Sequence, residues 1–116
     1  MSYHLIQTDT YKEDYAYSDI QNQQRATRFC DQLELNPLQV GKPLGFKWFR
    51  EKKFNGNRLY YLVYEEWQAV LLVGMSTKKD QSNTISKIRS MIPEYRTFVY
   101  SYLKENGLLG GSTQYA

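Results

Sequence analysis

Six basic side chains lie close together in the middle of the chain and could act on a phosphate group. Arginine stays protonated and binds phosphate through two parallel hydrogen bonds, whereas a lysine crowded by other cations can exchange a proton. Together such groups could hold an RNA backbone and stabilise the charge that develops when a 2′-hydroxyl attacks the adjacent phosphate. The six residues, which share their stretch with Glu51 alone, are Lys42, Lys47, Arg50, Lys52, Lys53 and Arg58.

A second basic pair, Lys78 and Lys79, follows an apolar segment that the sequence predicts to be a neighbouring strand. In an antiparallel meander, the end of that strand approaches the two strands before it. We therefore expect the pair to converge with Arg50, Lys52 and Arg58. The competing interpretation is a solvated sheet face, which would carry the same charges.

Other kinds of site find little support in the sequence. His4 stands near the N-terminus and Cys30 takes a core position in a predicted helix, so neither a Ser-His-Asp nor a Cys-His arrangement is expected. The lone cysteine excludes an internal disulfide and a cysteine-based zinc site, and it is typical of a reducing compartment. Gly41 and Gly45 do not have the spacing of a phosphate-binding loop. No metal and no cofactor are therefore predicted.

The composition is typical of one globular domain. Of the 116 residues, 41% are hydrophobic and 16% aromatic, which argues against disorder. The formal net charge of +3 conceals a polarity, because residues 1–41 sum to −3 and residues 42–96 to +6. This polarity favours a polyanionic partner for the middle of the chain. The longest apolar run, Ala69 to Gly74, is too short to cross a membrane, and no signal-peptide pattern opens the chain. We predict a cytoplasmic protein without a membrane partner.

The spacing of the apolar residues predicts the element order β-α-α-β-β-β-α. A short strand and an αα-hairpin, with Ser18 as the expected helix cap, precede a loop and a meander whose first turn is Asn55-Gly56. A long helix interrupted by Pro93 follows. We predict one α+β domain over 1–106, with an antiparallel sheet that carries helices on one face, and a flexible tail over 107–116. The predicted ranges are 3–7 for the first strand, 9–17 and 19–34 for the first helices, 36–45 for the loop and 69–74 for a central strand.

Several segments, taken in order, resemble the RelE/ParE superfamily of toxins, and the RelE-like branch is favoured. The helix-to-strand loop, the basic strand, the strand with arginine and tyrosines, the apolar core strand, the basic turn and a C-terminal segment all have counterparts there. In this sequence they read Leu33 with Asn36-Pro37 and Gly41-Lys42-Pro43-Leu44, Phe49-Arg50-Glu51, Arg58-Leu59-Tyr60-Tyr61, Ala69-Val70-Leu71-Leu72-Val73-Gly74, Lys78-Lys79-Asp80-Gln81 and Ile92-Pro93-Glu94-Tyr95-Arg96. The resemblance covers roughly residues 3–104.

The resemblance implies a small α+β toxin of a type II toxin–antitoxin pair, which cuts mRNA in the ribosomal A site without a metal. Its implied partners are a cognate antitoxin, mRNA and the ribosome. The implied catalytic residues are Arg50, Lys52, Arg58, Lys78 or Lys79, and Tyr95, and the implied RNA contacts are Lys42, Lys47, Lys53 and Tyr60.

Two alternatives to this function stay open. One is a ParE-like toxin that inhibits DNA gyrase by binding, and the other is an inactive homologue that only binds its antitoxin. The assignment of Tyr95 has an alternative as well. It is the nearest counterpart of a C-terminal catalytic tyrosine, but it falls in an apolar stripe and also fits a core position.

Overall fold

A computed structural model, which describes residues 2–109, contains five α-helices, five β-strands and a short 3-10 helix at Glu65–Trp67. The helices are α1 (Asp9–Tyr17), α2 (Ile20–Leu35), α3 (Pro37–Val40), α4 (Gln81–Ser90) and α5 (Ile92–Glu105). The strands are β1 (His4–Gln7), β2 (Lys42–Pro43), β3 (Phe49–Phe54), β4 (Asn57–Tyr64) and β5 (Ala69–Thr77). The predicted α+β class is confirmed. Two short elements, α3 and β2, occupy the predicted loop.

The strands form one five-stranded sheet in the order β1-β5-β4-β3-β2. Strands β3, β4 and β5 are antiparallel neighbours, as predicted for the meander, and β2 pairs antiparallel with β3. The prediction of an antiparallel sheet is wrong for β1, which pairs in parallel with β5 and places His4 opposite Ala69. The physical reason is that β5 is apolar on both faces and lies inside the sheet, so it needs a partner on each edge. The α1–α2 hairpin carries the chain away from β1 before the meander begins.

Helices cover both faces of the sheet, so the prediction of a single covered face is wrong. Tyr60 and Leu62 of β4 pack with residues of α4 and α5, including Val99. Leu59 and Tyr61 point the other way and pack with residues of α1 and α2. Because side chains alternate along a strand, a central strand that is apolar at every position must have a cover on both sides.

The ends of the helices follow from capping groups. The Thr8 hydroxyl accepts from the Tyr11 N–H at the start of α1. Asp19 caps α2 by accepting from the Asn22 N–H at 2.8 Å, so the prediction of Ser18 as the cap is wrong by one residue. The carboxylate of Asp19 takes this place while the Ser18 hydroxyl donates to the Asp14 carbonyl. Both are ordinary cap chemistry.

Turns at two places fix the remaining boundaries. Asn55 and Gly56 have φ angles of +48° and +78°, so the predicted hairpin turn is confirmed as one with two left-handed residues. The predicted long helix is divided, with Pro93 in the first turn of α5, where its missing N–H costs nothing. Leu108 and Leu109 pack against the core, so the ordered chain extends beyond 106. Residues 110–116 of the predicted tail lie outside the described residues.

Candidate cationic active site

The register of β3 against β4 decides which basic residues share a face. Lys53 lies opposite Arg58, and Glu51 lies opposite Tyr60. Lys42 of β2 lies opposite Glu51 in turn. Since directly opposed residues of an antiparallel pair project to the same side, these five side chains lie on the face that α4 and α5 cover. We call Lys42, Lys53 and Arg58, gathered around Glu51, the cation cluster.

A buried carboxylate organises the cation cluster. The Glu51 side chain is fully excluded from solvent, and its Oε1 lies 3.5 Å from Arg58 Nε. The Gln81 side-chain amide, at the first position of α4, donates to the same oxygen at 2.8 Å. Lys42 Nζ lies 3.8 Å from Oε2. A buried carboxylate is tolerated only with such partners, so Glu51 ties β2, β4 and α4 together at one end of the sheet.

Arg58 is held in a fixed orientation. Its side chain is 7% exposed, Nε faces Glu51, and Nη1 donates to the Gly56 carbonyl at 3.1 Å. The second terminal nitrogen, Nη2, makes no hydrogen bond within residues 2–109. A guanidinium with five donors retains the capacity to bind an added phosphate oxygen.

Lys53 is exposed, as is Lys42, whereas Arg58 is buried. The positive charge of Lys42 is the main cause that lowers the pKa of Lys53, with a hydrogen bond from Lys42, slight burial and Arg58 acting in the same direction and Glu51 opposing them. A lowered pKa favours the neutral form of a lysine, which can accept a proton. The neighbouring cations therefore give Lys53 a chemical property that an isolated surface lysine lacks.

Tyr60 lies on the same face of the sheet as the cation cluster, but its ring is not available for RNA bases to stack on. Its ring is fully buried in the core, and its hydroxyl lies 2.8 Å from the Ser76 hydroxyl. Burial raises the pKa of Tyr60, and the Ser76 hydrogen bond opposes that rise. The prediction that Tyr60 contacts RNA is therefore wrong for its ring, because no ring face is open to a base.

Arg50 and Lys52 lie on the opposite face of the sheet, so the predicted convergence with Arg58 is wrong for both. Arg50 donates to the Gly41 carbonyl at 2.6 Å and to the Lys47 carbonyl at 2.9 Å. Lys52 Nζ lies 5.2 Å from the centre of the Phe29 ring of α2. Even positions of β3 alternate with Glu51 and Lys53, and this alternation separates the two residues from Arg58.

A buried hydrogen-bond network surrounds Arg50. The Tyr61 hydroxyl, from the position opposite Arg50, donates to the Pro37 carbonyl at 2.7 Å and accepts from the Gly41 N–H. Burial raises the pKa of Tyr61, and the hydrogen bond with Arg50 is the first influence against it. Arg50 thus positions the segment that leads into β2, the strand that begins at Lys42.

The other predicted site residues are dispersed. Lys47 pairs with Glu65 at 3.3 Å, near the far end of β4. Lys78 and Lys79 are exposed in the turn between β5 and α4, immediately before the helix end that holds Glu51. Tyr95 is 8% exposed and lies in the core, as the competing interpretation predicted, and burial raises its pKa.

Two residues of the site were missed from the sequence. Glu51 carried a signal, since it is the one carboxylate within the basic stretch and shares its parity with Lys53. Gln81 carried no such sequence signal, because its role depends on how α4 docks on the sheet.

Within residues 2–109, no group of three or more His, Cys, Asp or Glu side chains could hold a metal ion. None of the helices described is long and apolar enough to cross a membrane.

No protein-family model matches the sequence, and no curated protein matches it. Solved structures do match. A mutant of the E. coli toxin RelE in the free state superposes with a TM-score of 0.68 at 18% identity, over 79% of this chain and 99% of that one. A chain of the toxin–antitoxin complex RelBE2 from Mycobacterium tuberculosis gives 0.60 at 22% identity, over 67% and 100%. A chain of the archaeal RelE–RelB complex from Pyrococcus horikoshii gives 0.58 at 15% identity, over 67% and 97%.

These superpositions define the fold class, since nearly the whole length of each solved chain finds a counterpart here. The protein has the fold of the RelE toxins, as the sequence resemblance implied. The cation cluster lies on β2, β3 and β4 of the sheet.

Proposed function

We propose that this protein is the toxin of a type II toxin–antitoxin pair and acts as a ribosome-dependent mRNA endonuclease in the cytoplasm. The observation that carries the proposal is the cation cluster, in which three cations from three strands surround one buried carboxylate on a RelE-like sheet. The superposed complexes are toxin–antitoxin complexes by their own descriptions, which supports a cognate antitoxin as the protein partner.

The proposed reaction uses the RNA as its own nucleophile. Neutral Lys53 accepts the proton of a 2′-hydroxyl, and the 2′-oxygen attacks the adjacent phosphorus. The bond from phosphorus to the 5′-oxygen breaks, leaving a 2′,3′-cyclic phosphate on one product. The departing 5′-oxygen takes a proton from a protonated lysine of the basic turn, Lys78 or Lys79. Protons and charge balance without a further reactant.

Arg58 supplies the electrostatic part of this reaction. Negative charge accumulates on the non-bridging oxygens as the phosphorus becomes five-coordinate, and a guanidinium already fixed in place stabilises it without reorganising. Glu51 does not meet the RNA in this proposal. It holds Arg58 in orientation, as the 3.5 Å separation and the second partner Gln81 indicate.

The test is primer extension on mRNA after brief induction of the chain, with induction of a variant that lacks the Arg58 guanidinium as the comparison. Cuts in phase with codons, lost in the variant, are expected. Intact mRNA together with DNA damage would instead identify a gyrase inhibitor, and absence of both effects would identify an inactive antitoxin-binding homologue. Either result would refute the nuclease.

A further inference from the structure

A second basic surface lies on the face of the sheet that the cation cluster does not use. A groove of about 370 Å³ runs between α2 and the tip of the β3–β4 hairpin. Its five lining residues all carry polar side chains and are Gln21, Gln24, Arg25, Arg28 and Asn55. Lys52 flanks it, because its ammonium group sits over Phe29, one helical turn beyond Arg25. We call this surface the α2 groove.

The charges of the α2 groove are not neutralised within the described chain. Arg25 and Arg28 are exposed, and no carboxylate lies within 4.0 Å of either arginine or of Lys52 among residues 2–109. The Asp19 carboxylate, at the start of α2, accepts a hydrogen bond from the Asn22 N–H and does not pair with either arginine. The other carboxylates of α2, Asp31 and Glu34, stand nearer its C-terminal end. Arg25 and Arg28 therefore face solvent, and the half-buried Lys52 lies beside Phe29 without a carboxylate partner among the described residues.

The two sides of the groove are connected. The Asn55 side-chain amide contacts the Asn22 side chain at 3.4 Å, which links the hairpin tip to α2. The Lys52 ammonium lies 5.2 Å from the centre of the Phe29 ring, which places a third cation beside α2. The hairpin tip and α2 therefore present their polar side chains to one ligand.

The chemistry of the lining selects the kind of polyanion. Single-stranded RNA is usually held by aromatic rings on which its bases stack, and the α2 groove has none in its lining. Arginine, glutamine and asparagine side chains instead suit phosphate oxygens and 2′-hydroxyls, which a duplex presents in its wide minor groove. The surface therefore fits a backbone and not a base.

We propose that the α2 groove binds the backbone of double-stranded RNA. The sheet separates it from the cation cluster, so the strand being cut and this duplex are different RNA segments. The choice of RNA over other polyanions rests on the proposed function, whereas the positive, polar groove does not.

The test measures binding of the intact chain to a blunt-ended RNA duplex by fluorescence anisotropy over a range of salt concentrations. The variant R25Q/R28Q is expected to bind about tenfold more weakly, with a log–log salt slope shallower by about two. The matched control K87Q/K104Q removes the same charge from exposed positions on α4 and α5 and is expected to bind as the wild type does. Circular dichroism confirms folding of each variant.

Three outcomes would overturn the proposal. Equal loss in both double variants would indicate attraction by net charge alone. Tighter binding of a DNA duplex of the same sequence would remove the assignment to RNA. Binding of an acidic peptide that depends on Arg25 and Arg28, with no binding of the duplex, would assign the groove to a protein. Failure of the nuclease is seen separately, because primer extension after induction of the wild type reports cleavage, whereas the anisotropy measurement reports only duplex binding.

Discussion

Arg58 and Glu51 face each other across adjacent strands, with Nε 3.5 Å from Oε1 and both side chains almost wholly removed from water. Arg58 is thus a structural partner as well as the proposed catalytic cation. Removing one member of a buried ion pair leaves the other charge uncompensated, which costs far more than the pair itself contributes.

The first prediction separates these two roles of Arg58. The variant R58A is expected to lose cleavage and also about 3 kcal/mol or more of unfolding free energy, because Glu51 stays buried without its main partner. The double variant R58A/E51Q removes the orphaned charge and is expected to regain most of that stability while staying inactive. Urea unfolding and primer extension measure the two effects. Recovery of cleavage in the double variant would contradict the catalytic assignment.

A second prediction concerns the pH dependence of cleavage. The Lys42 charge is the main cause that lowers the pKa of Lys53, so K42M is expected to raise that pKa again. Since Lys53 works as the base in its neutral form, the rising limb of the pH–rate profile then moves to higher pH. Single-turnover cleavage over a pH series measures the shift.

The control for this variant is K47M, which removes the same charge from a lysine paired with Glu65 in the turn before β3. Its profile is expected to match that of the wild type. A rising limb that stays in place or moves to lower pH in K42M would exclude Lys53 as the base.

Arg50 gives a third prediction, about stability instead of catalysis. Its guanidinium donates to two backbone carbonyls, those of Gly41 and Lys47, and each hydrogen bond to a charged group contributes about 1.5–3 kcal/mol. The variant R50M is expected to unfold at lower urea concentration, with the loss at least about 2 kcal/mol. R50K is expected to rescue little, because an ammonium cannot reach both carbonyls in a fixed fork. A variant as stable as the wild type would show that the network around Tyr61 does not need Arg50.

The fourth prediction tests Tyr95, the counterpart of a C-terminal catalytic tyrosine. Because the residue is packed in the core, Y95F is expected to keep full cleavage and nearly full stability, whereas Y95A is expected to lose about 3–4 kcal/mol. Cleavage rate and thermal unfolding of both variants measure this. A large loss of cleavage rate in Y95F with unchanged stability would instead assign a catalytic role to the Tyr95 hydroxyl.

The sequence contained more of the site than its basic residues suggested. Asn55-Gly56 predicts a two-residue hairpin loop, and such a loop places Phe54 opposite Asn57 and Lys53 opposite Arg58. From that register, Lys53 and Glu51 share a face with Arg58, and Lys52 does not. The error over Lys52 and Arg50 arose from counting charges without applying the register.

Other parts of the molecule could not be read from local pattern. The contact of Gln81 with Glu51 depends on how α4 docks, and the place of Lys42 depends on the Arg50 and Tyr61 network that returns the chain to β3. The parallel pairing of β1 with β5 likewise joins segments far apart in sequence. These are tertiary contacts, which periodicity and capping signals do not encode.

The pairing of His4 with Ala69 has a consequence for how the chain is made. The first strand leaves the ribosome early, yet its partner strand is synthesised only after the whole helical hairpin and the first two long strands. Such a long sequence separation slows folding, because a large loop must close before the contact forms. A nascent chain that ends before β5 lacks both the strand that joins β1 to β4 and the Gln81 amide that holds Glu51. Such a product contains the residues of the cation cluster without the contacts that arrange them.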